Sequence, residues 1–204
     1  MGFGLLFIGY LFLFNFPLRN YFALDMIPDL VGYVILFFAL SKLKLYIDKM
    51  RYARLVLIPM LCLAVFRFFF VFLSYFGIYN GTNLINAVWY VENGLIFAFH
   101  ILLLRGICDI AKETELPKLC VRGKRNLICI VLYYLAYFTE AIFAKSSSAA
   151  LQWARVITLL AGLWFVLLCA MLIFSCYMWI CLPEDLNMES KRRFPFPRKP
   201  DDTP

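Results

Sequence analysis

Long apolar runs separated by short polar stretches dominate the pattern of this chain. A helix needs about 20 mainly apolar residues to cross the hydrocarbon core of a bilayer, so each run is a candidate transmembrane helix. Six such runs cover residues 2–18, 24–43, 55–78, 84–107, 127–144 and 151–182. The pattern therefore predicts an all-α, polytopic integral membrane protein with six transmembrane helices.

The first and last runs depart from the ideal length. The first ends at Asn15-Phe16-Pro17, where proline should break a helix. A cleaved signal peptide is one alternative, but no basic stretch precedes the run and no small-residue cleavage site follows it. A re-entrant or interfacial segment is another alternative, and we take the run as a span. The last run is over-long, so we expect it to tilt or to extend into the cytoplasm.

Composition excludes a soluble domain. Hydrophobic residues make up 64% of the chain and charged residues 16%, whereas soluble proteins average about 45–50% and about 25%. The formal charge of +7 is not accompanied by any aromatic and basic module that would bind nucleic acid. We therefore expect lipid, and not nucleic acid, to surround this protein.

The distribution of lysine and arginine predicts the orientation. Basic residues cluster after the second run, after the fourth run and in the tail, whereas the opposite turns carry only Arg19 and Lys145. The positive-inside rule then places both termini in the cytoplasm, with the six helices arranged as three outward-pointing hairpins. We expect residues 1–183 to form the membrane domain, in the plasma membrane of a bacterial cell.

The remaining residues, 184–204, form a basic, proline-rich cytoplasmic tail. Such a tail should lie extended on the anionic lipids of the inner leaflet. Binding of a cytoplasmic partner is the alternative.

Familiar catalytic and metal-binding motifs are absent from the sequence. It contains no G-x-S-x-G, H-E-x-x-H or P-loop pattern, one histidine, and seven cysteines without a C-x-x-C pair. We expect no cofactor and no metal, and the cysteines should be reduced thiols. An intramembrane enzyme stays open as the lesser alternative.

Ionisable and polar residues inside the apolar runs are the strongest functional signal. A charge at the centre of a transmembrane helix costs about 3 kcal/mol, so it should face protein or water and have a partner. Several polar residues recur at helical spacing, which predicts polar stripes turned toward a polar interior. One stripe in the fourth run contains Asn83, Asn86, Tyr90, Asn93 and His100, and one in the second contains Asp25, Asp29 and either Gly32 or Tyr33. The candidate ligand-binding residues are Asp25, Asp29, Arg67, Glu92, Asn93, His100, Tyr137, Glu140 and Arg155.

Two ion pairs are expected from the depths of these residues. Glu140 and Arg155 are almost equidistant from the turn at Ser146-Ser147-Ser148, and should pair. Arg67 and Glu92 flank the turn at Asn80-Gly81, and the length of arginine should let them meet. Each feature also has a structural interpretation, in which both pairs only clamp helices.

The other candidates also have both a functional and a structural interpretation. Asp25 and Asp29 either form walls of a ligand-binding pocket or only cap the second helix near its positive N-terminus. His100 is either a hydrogen-bonded core residue or a proton relay.

Two functions follow as hypotheses. In the first, an outward-facing polar pocket binds or transports a small polar or cationic solute. Arg67, Glu92 and Asn93 form its floor and Asp25, Asp29, Glu140 and Arg155 its walls, and the surplus acids Asp25 and Asp29 favour a cation or amine. In the second, the protein is a non-catalytic accessory or signalling subunit. Its buried charges then specify helix pairing, and its basic loops meet a cytoplasmic partner or a second copy.

Overall fold

Helices account for almost all of the described chain. A computed structural model describes residues 2–13, 26–76, 82–143 and 149–180. Within these residues six α-helices occur and no strand. They are α1 (Gly2–Phe12), α2 (Met26–Leu43), α3 (Asp48–Tyr75), α4 (Thr82–Glu113), α5 (Pro117–Phe143) and α6 (Ala149–Trp179).

Three of the described helices are long and apolar enough, by length and composition, to cross a membrane. The qualifying segments are Asp48–Phe70 in α3, Tyr90–Glu113 in α4 and Val156–Trp179 in α6. These helices support the prediction of a membrane protein. In contrast, α1 has 11 residues and extends about 16 Å, roughly half of a bilayer core.

The helices form a closed antiparallel ring. Each helix packs against its neighbours in sequence, and α1 packs against α6. Gly4 of α1 lies against Tyr177 near the end of α6, and Phe7 lies against Phe174. The start of α1 and the end of α6 therefore share one end of the ring with the turns at residues 44–47 and 114–116. We call this the basic end.

The boundaries of two predicted segments were wrong. The apolar runs place the starts of the third and fifth helices at residues 55 and 127, but α3 begins at Asp48 and α5 at Pro117. The lysines and arginines of residues 48–54 and 117–126 therefore lie on helical turns and not in loops. Both residue types are good helix formers, so the end of an apolar run need not be the end of a helix.

A tight turn joins α4 to α5. The amide of Leu116 donates to the carbonyl of Ala111 at 2.8 Å, and the amide of Glu115 donates to Lys112 at 3.2 Å. This is the Schellman pattern, in which the residue after the helix adopts a left-handed conformation. Glu115 has a φ of 56°, although glycine is usual there. Pro117 then opens α5, where its missing N–H has no helical partner to lose.

Side chains fill the middle of the ring. The largest fully buried side chains come from four helices and include Tyr10, Leu36, Met60 and Phe99. At the basic end, α3 and α4 are also joined by an ion pair between Lys49 and Asp109. The basic half of the ring is therefore a packed core, which directs attention to the polar groups in the other half.

Candidate functional site

Charged side chains from three helices meet at one buried point in the half of the ring away from the basic end. Arg67 of α3 donates from Nη1 to Oε2 of Glu92 on α4 at 2.7 Å. Its Nη2 lies 3.5 Å from Oδ2 of Asp29 on α2. The hydroxyl of Tyr33, one turn along α2, lies 3.4 Å from the other Glu92 oxygen. We call Asp29, Tyr33, Arg67 and Glu92 the three-helix charge cluster.

The antiparallel packing of α2, α3 and α4 brings these side chains within reach of one another. On α3 and α4, Met50 lies against Gly106 at the basic end. Counted from there, Arg67 and Glu92 differ in level by about one helical turn, which the length of the arginine side chain spans. On α2 and α3, Arg54 lies over the Phe37 ring at 4.3 Å. Counted from that contact, Asp29 and Arg67 differ in level by about five residues, or about 7–8 Å along the helix axis, and the long arginine side chain covers the difference. The length of Arg67 thus lets it contact carboxylates on two neighbouring helices that lie at somewhat different levels.

The cluster is almost inaccessible. The side chains of Asp29 and Glu92 expose 4% and 3% of their surface, and that of Arg67 exposes 14%. Burial of charges is costly unless each is paired and hydrogen-bonded, so the short Arg67–Glu92 contact offsets a large desolvation penalty. The Nε–H of Arg67 is also buried, and it has no hydrogen-bond partner among the described residues.

The predicted pairing of Arg67 with Glu92 is confirmed. Asp29 was expected in a wall of the proposed pocket, and it contacts Arg67, which was expected in its floor. Its position in the first turn of α2 also suits a carboxylate near a helix N-terminus. Asp25 and the side chains of Glu140 and Arg155 lie outside the described residues, so their pairing stays a prediction.

His100 forms a second buried polar contact, separate from the charge cluster. It lies eight residues after Glu92 on α4, about 12 Å along the helix axis toward the basic end. Its Nδ1 is 2.8 Å from the carbonyl of Ile96, and its Nε2 is 2.9 Å from the hydroxyl of Tyr10 on α1. A neutral imidazole satisfies both contacts, with Nδ1–H donating to the carbonyl and Nε2 accepting from tyrosine.

Aromatic rings surround this histidine. The His100 ring meets Tyr10 edge-on at 5.7 Å and Phe165 of α6 at 5.5 Å. Phe97 and Tyr134 pack at 4.8 Å between α4 and α5. Tyr10 thereby connects α1 to α4 across the ring. This aromatic layer separates the charge cluster from the apolar core of the basic half.

The remaining candidates lie in or beside this layer. Tyr137 is half-buried and packs against Tyr134 at 6.1 Å. Asn93 is half-buried beside Glu92. Tyr90 was expected on the inward polar stripe of α4, but 43% of its surface is exposed. That expectation was wrong, because α4 turns the Glu92 side inward and leaves Tyr90 on the outer side.

Two residues of these polar contacts were missed as candidates. Tyr10 is the one side chain with a polar group in α1, Gly2–Phe12, and that isolation is the signal that could have identified it. Tyr33 aligns with Asp29 at helical spacing on α2, so it belonged with that stripe. Both tyrosines present an apolar ring and a single hydroxyl, which a hydropathy pattern scores as core.

The chemistry available at the charge cluster is that of binding. Carboxylate oxygens can accept from an ammonium group or coordinate a cation, and the Nε–H of Arg67 can donate to an oxygen. Among the described residues, no group of three or more histidine, cysteine, aspartate or glutamate side chains is placed to hold a metal ion. The six described cysteines are free thiols.

Neither a protein-family model, nor a curated protein, nor a solved structure matches this chain.

Proposed function

We propose that this protein is a multi-pass membrane protein that binds, and carries across the bilayer, a small monovalent cation or amine at the three-helix charge cluster. One observation carries the proposal: Arg67 is shared unequally between two buried carboxylates, at 2.7 Å from Glu92 and 3.5 Å from Asp29. An internal cation held this way can be displaced from its weaker partner by an external one of the same charge.

The exchange has a simple geometry. An entering ammonium group or cation takes the Asp29 carboxylate, and the guanidinium of Arg67 remains on Glu92. The unpartnered Nε–H of Arg67 then donates to an oxygen of the solute, or to a water bound to the cation. This pairing favours solutes that combine one positive charge with an oxygen acceptor.

The proposed topology puts the cluster on the outer side. Six spans with both termini in the cytoplasm place the basic end at the inner surface. Glu92 precedes Arg105 by thirteen residues, about 20 Å along α4, so the cluster falls in the outer half of a bilayer core of about 30 Å. We propose the plasma membrane of a bacterial cell as the location.

Solute flux into proteoliposomes tests this function. Wild-type protein should accelerate the entry of radiolabelled methylammonium or sodium, and Asp29→Asn should abolish the acceleration. Asp109→Asn is the matched control, because it makes the same change in a carboxylate that pairs with Lys49 at the basic end. Flux that is equal in wild type and Asp29→Asn would overturn the proposal.

A non-transporting accessory or signalling subunit is the second candidate, and a specific observation favours it. Arg67 joins α2, α3 and α4 at once, as a purely structural clamp would, and the N-terminus of α2 stabilises Asp29 with a partial positive charge. This function predicts a stoichiometric partner or second copy in mild-detergent purification, together with no cation-dependent behaviour in any carboxylate variant.

A further inference from the structure

We infer that Arg51, Arg105 and Lys124 form a binding site for the phosphate of anionic phospholipid headgroups at the basic end. The three residues belong to three consecutive helices, α3, α4 and α5. Each is exposed, and none has an ion-pair partner within the part of the chain that the structure describes. We call them the cationic belt.

Close helix contacts put the three cations at one level. A Cβ placed on Gly106 would lie 2.7 Å from the Met50 side chain, so positions 105 and 51 are level on α4 and α3. A Cβ placed on Gly123 would lie 2.6 Å from Sγ of Cys108 and 3.8 Å from the carbonyl of Leu104. Lys124 is therefore level with Arg105 on the next helix.

Apolar surface begins immediately on one side of this level. On α3, Leu55 and Ile58 expose 52% and 46% of their surface, and on α5 Ile128 and Leu132 expose 62% and 61%. The turn at residues 114–116 and the acidic residues Glu113 and Glu115 lie on the other side. A level that divides lipid-compatible surface from charged surface is the level of the headgroups.

Charge complementarity selects the occupant. Two other cations at the basic end are compensated, since Asp109 pairs with both Lys49 and Lys112. The belt cations have no acidic partner among the described residues, and they lie on the exposed sides of three adjacent helices. Arginine binds phosphate oxygens with two parallel hydrogen bonds, and lysine adds a point charge on a flexible stem. Anionic lipid meets both requirements, because its phosphate sits where these side chains end.

Native mass spectrometry and thermal unfolding of the full-length protein test this site, with phosphatidylglycerol as the probe and phosphatidylcholine as the zwitterionic reference. Wild type should retain phosphatidylglycerol and unfold at a higher temperature in its presence. The triple variant Arg51→Gln, Arg105→Gln and Lys124→Gln should retain at least tenfold less of it. Inorganic phosphate alone should give no shift, which distinguishes the lipid from a free anion.

The matched control is the triple variant Lys118→Gln, Arg122→Gln and Arg125→Gln, which removes the same charge from exposed positions of α5 alone. It should keep most of the bound phosphatidylglycerol. Equal loss in both triple variants would overturn the inference, because lipid would then respond only to total charge. If the belt variant fails to fold, Arg105→Gln compared with Arg125→Gln decides between the same two outcomes.

Discussion

Single residues decide whether the buried charges are tolerated at all. Arg67 is the one cation in the charge cluster as described, and it serves two carboxylates on two other helices. Removing one partner of a buried pair leaves an uncompensated charge, whereas removing both leaves a neutral surface that can pack. The cluster should therefore show strong non-additivity.

We expect Arg67→Met to lower the free energy of unfolding by about 3–5 kcal/mol, because the buried carboxylates lose their guanidinium. Glu92→Gln in the same chain should recover part of this loss. The free energies come from urea unfolding in detergent of wild type, both single variants and the double variant. Additive losses would show that Arg67 and Glu92 do not interact.

Tyr10 should contribute to stability through its hydroxyl. Tyr10→Phe keeps the ring but leaves the Nε2 of His100 buried without its 2.9 Å partner, which should cost about 1–2 kcal/mol. Tyr177→Phe is the control, because that tyrosine is 51% exposed. Thermal melts of both variants check the difference, and equal melting temperatures would contradict the contact.

The contacts of some of these residues could be predicted because the residues stand out in the hydropathy pattern, and the contacts of others could not. Arg67 and Glu92 are charges in apolar runs, and counting residues from the turn between their helices was enough to pair them. The contact of Asp29 with Arg67 was not predicted, because the level of Asp29 on α2 depends on how α2 packs against α3, and no count from one turn supplies that. Tyr10 was missed because a buried tyrosine and a lipid-facing tyrosine look alike in sequence.

At the scale of helices, hydropathy predicted which segments are helical but not where they begin. The apolar runs fall within α3 and α5, and the added basic turns that begin at Asp48 and Pro117 carry two of the three belt cations, Arg51 and Lys124. Alternation of lysine and arginine with leucine, valine and cysteine on those turns is compatible with either helix or loop. Tertiary contacts such as Gly123 against Cys108 resolve the choice.

The backbone conformation of the turn between α4 and α5 predicts how glycine substitutions there change stability. Glu115 adopts a left-handed conformation, which costs a residue with a side chain about 1 kcal/mol, so Glu115→Gly should stabilise the protein by up to that amount. Glu113→Gly should act in the opposite direction, because Glu113 is the last residue of α4 and glycine weakens helices by about 0.5–1 kcal/mol. Chemical unfolding of the two variants gives the signs.

For the whole molecule, the ring has two different halves. The basic half is a packed apolar core bounded by unpaired cations, and the other half holds charges that three helices contribute together. Between them the aromatic layer around His100 fills the centre. A solute that reached the charge cluster from the outer side would thus meet a barrier of rings, and transport would require those rings to move.

The most direct test of the account is cation-dependent thermal unfolding of the purified full-length protein. The titration adds sodium, potassium or methylammonium to a background of N-methylglucamine chloride. A ligand at 100 times its Kd stabilises the folded state by about 2.7 kcal/mol, and each kcal/mol raises the Tm of a protein this size by about 2–4 °C. The account predicts a saturable rise of about 5–10 °C with at least one cation, absent in Asp29→Asn and retained in Asp109→Asn. No rise with any of these cations, or the same rise in Asp29→Asn, would contradict it.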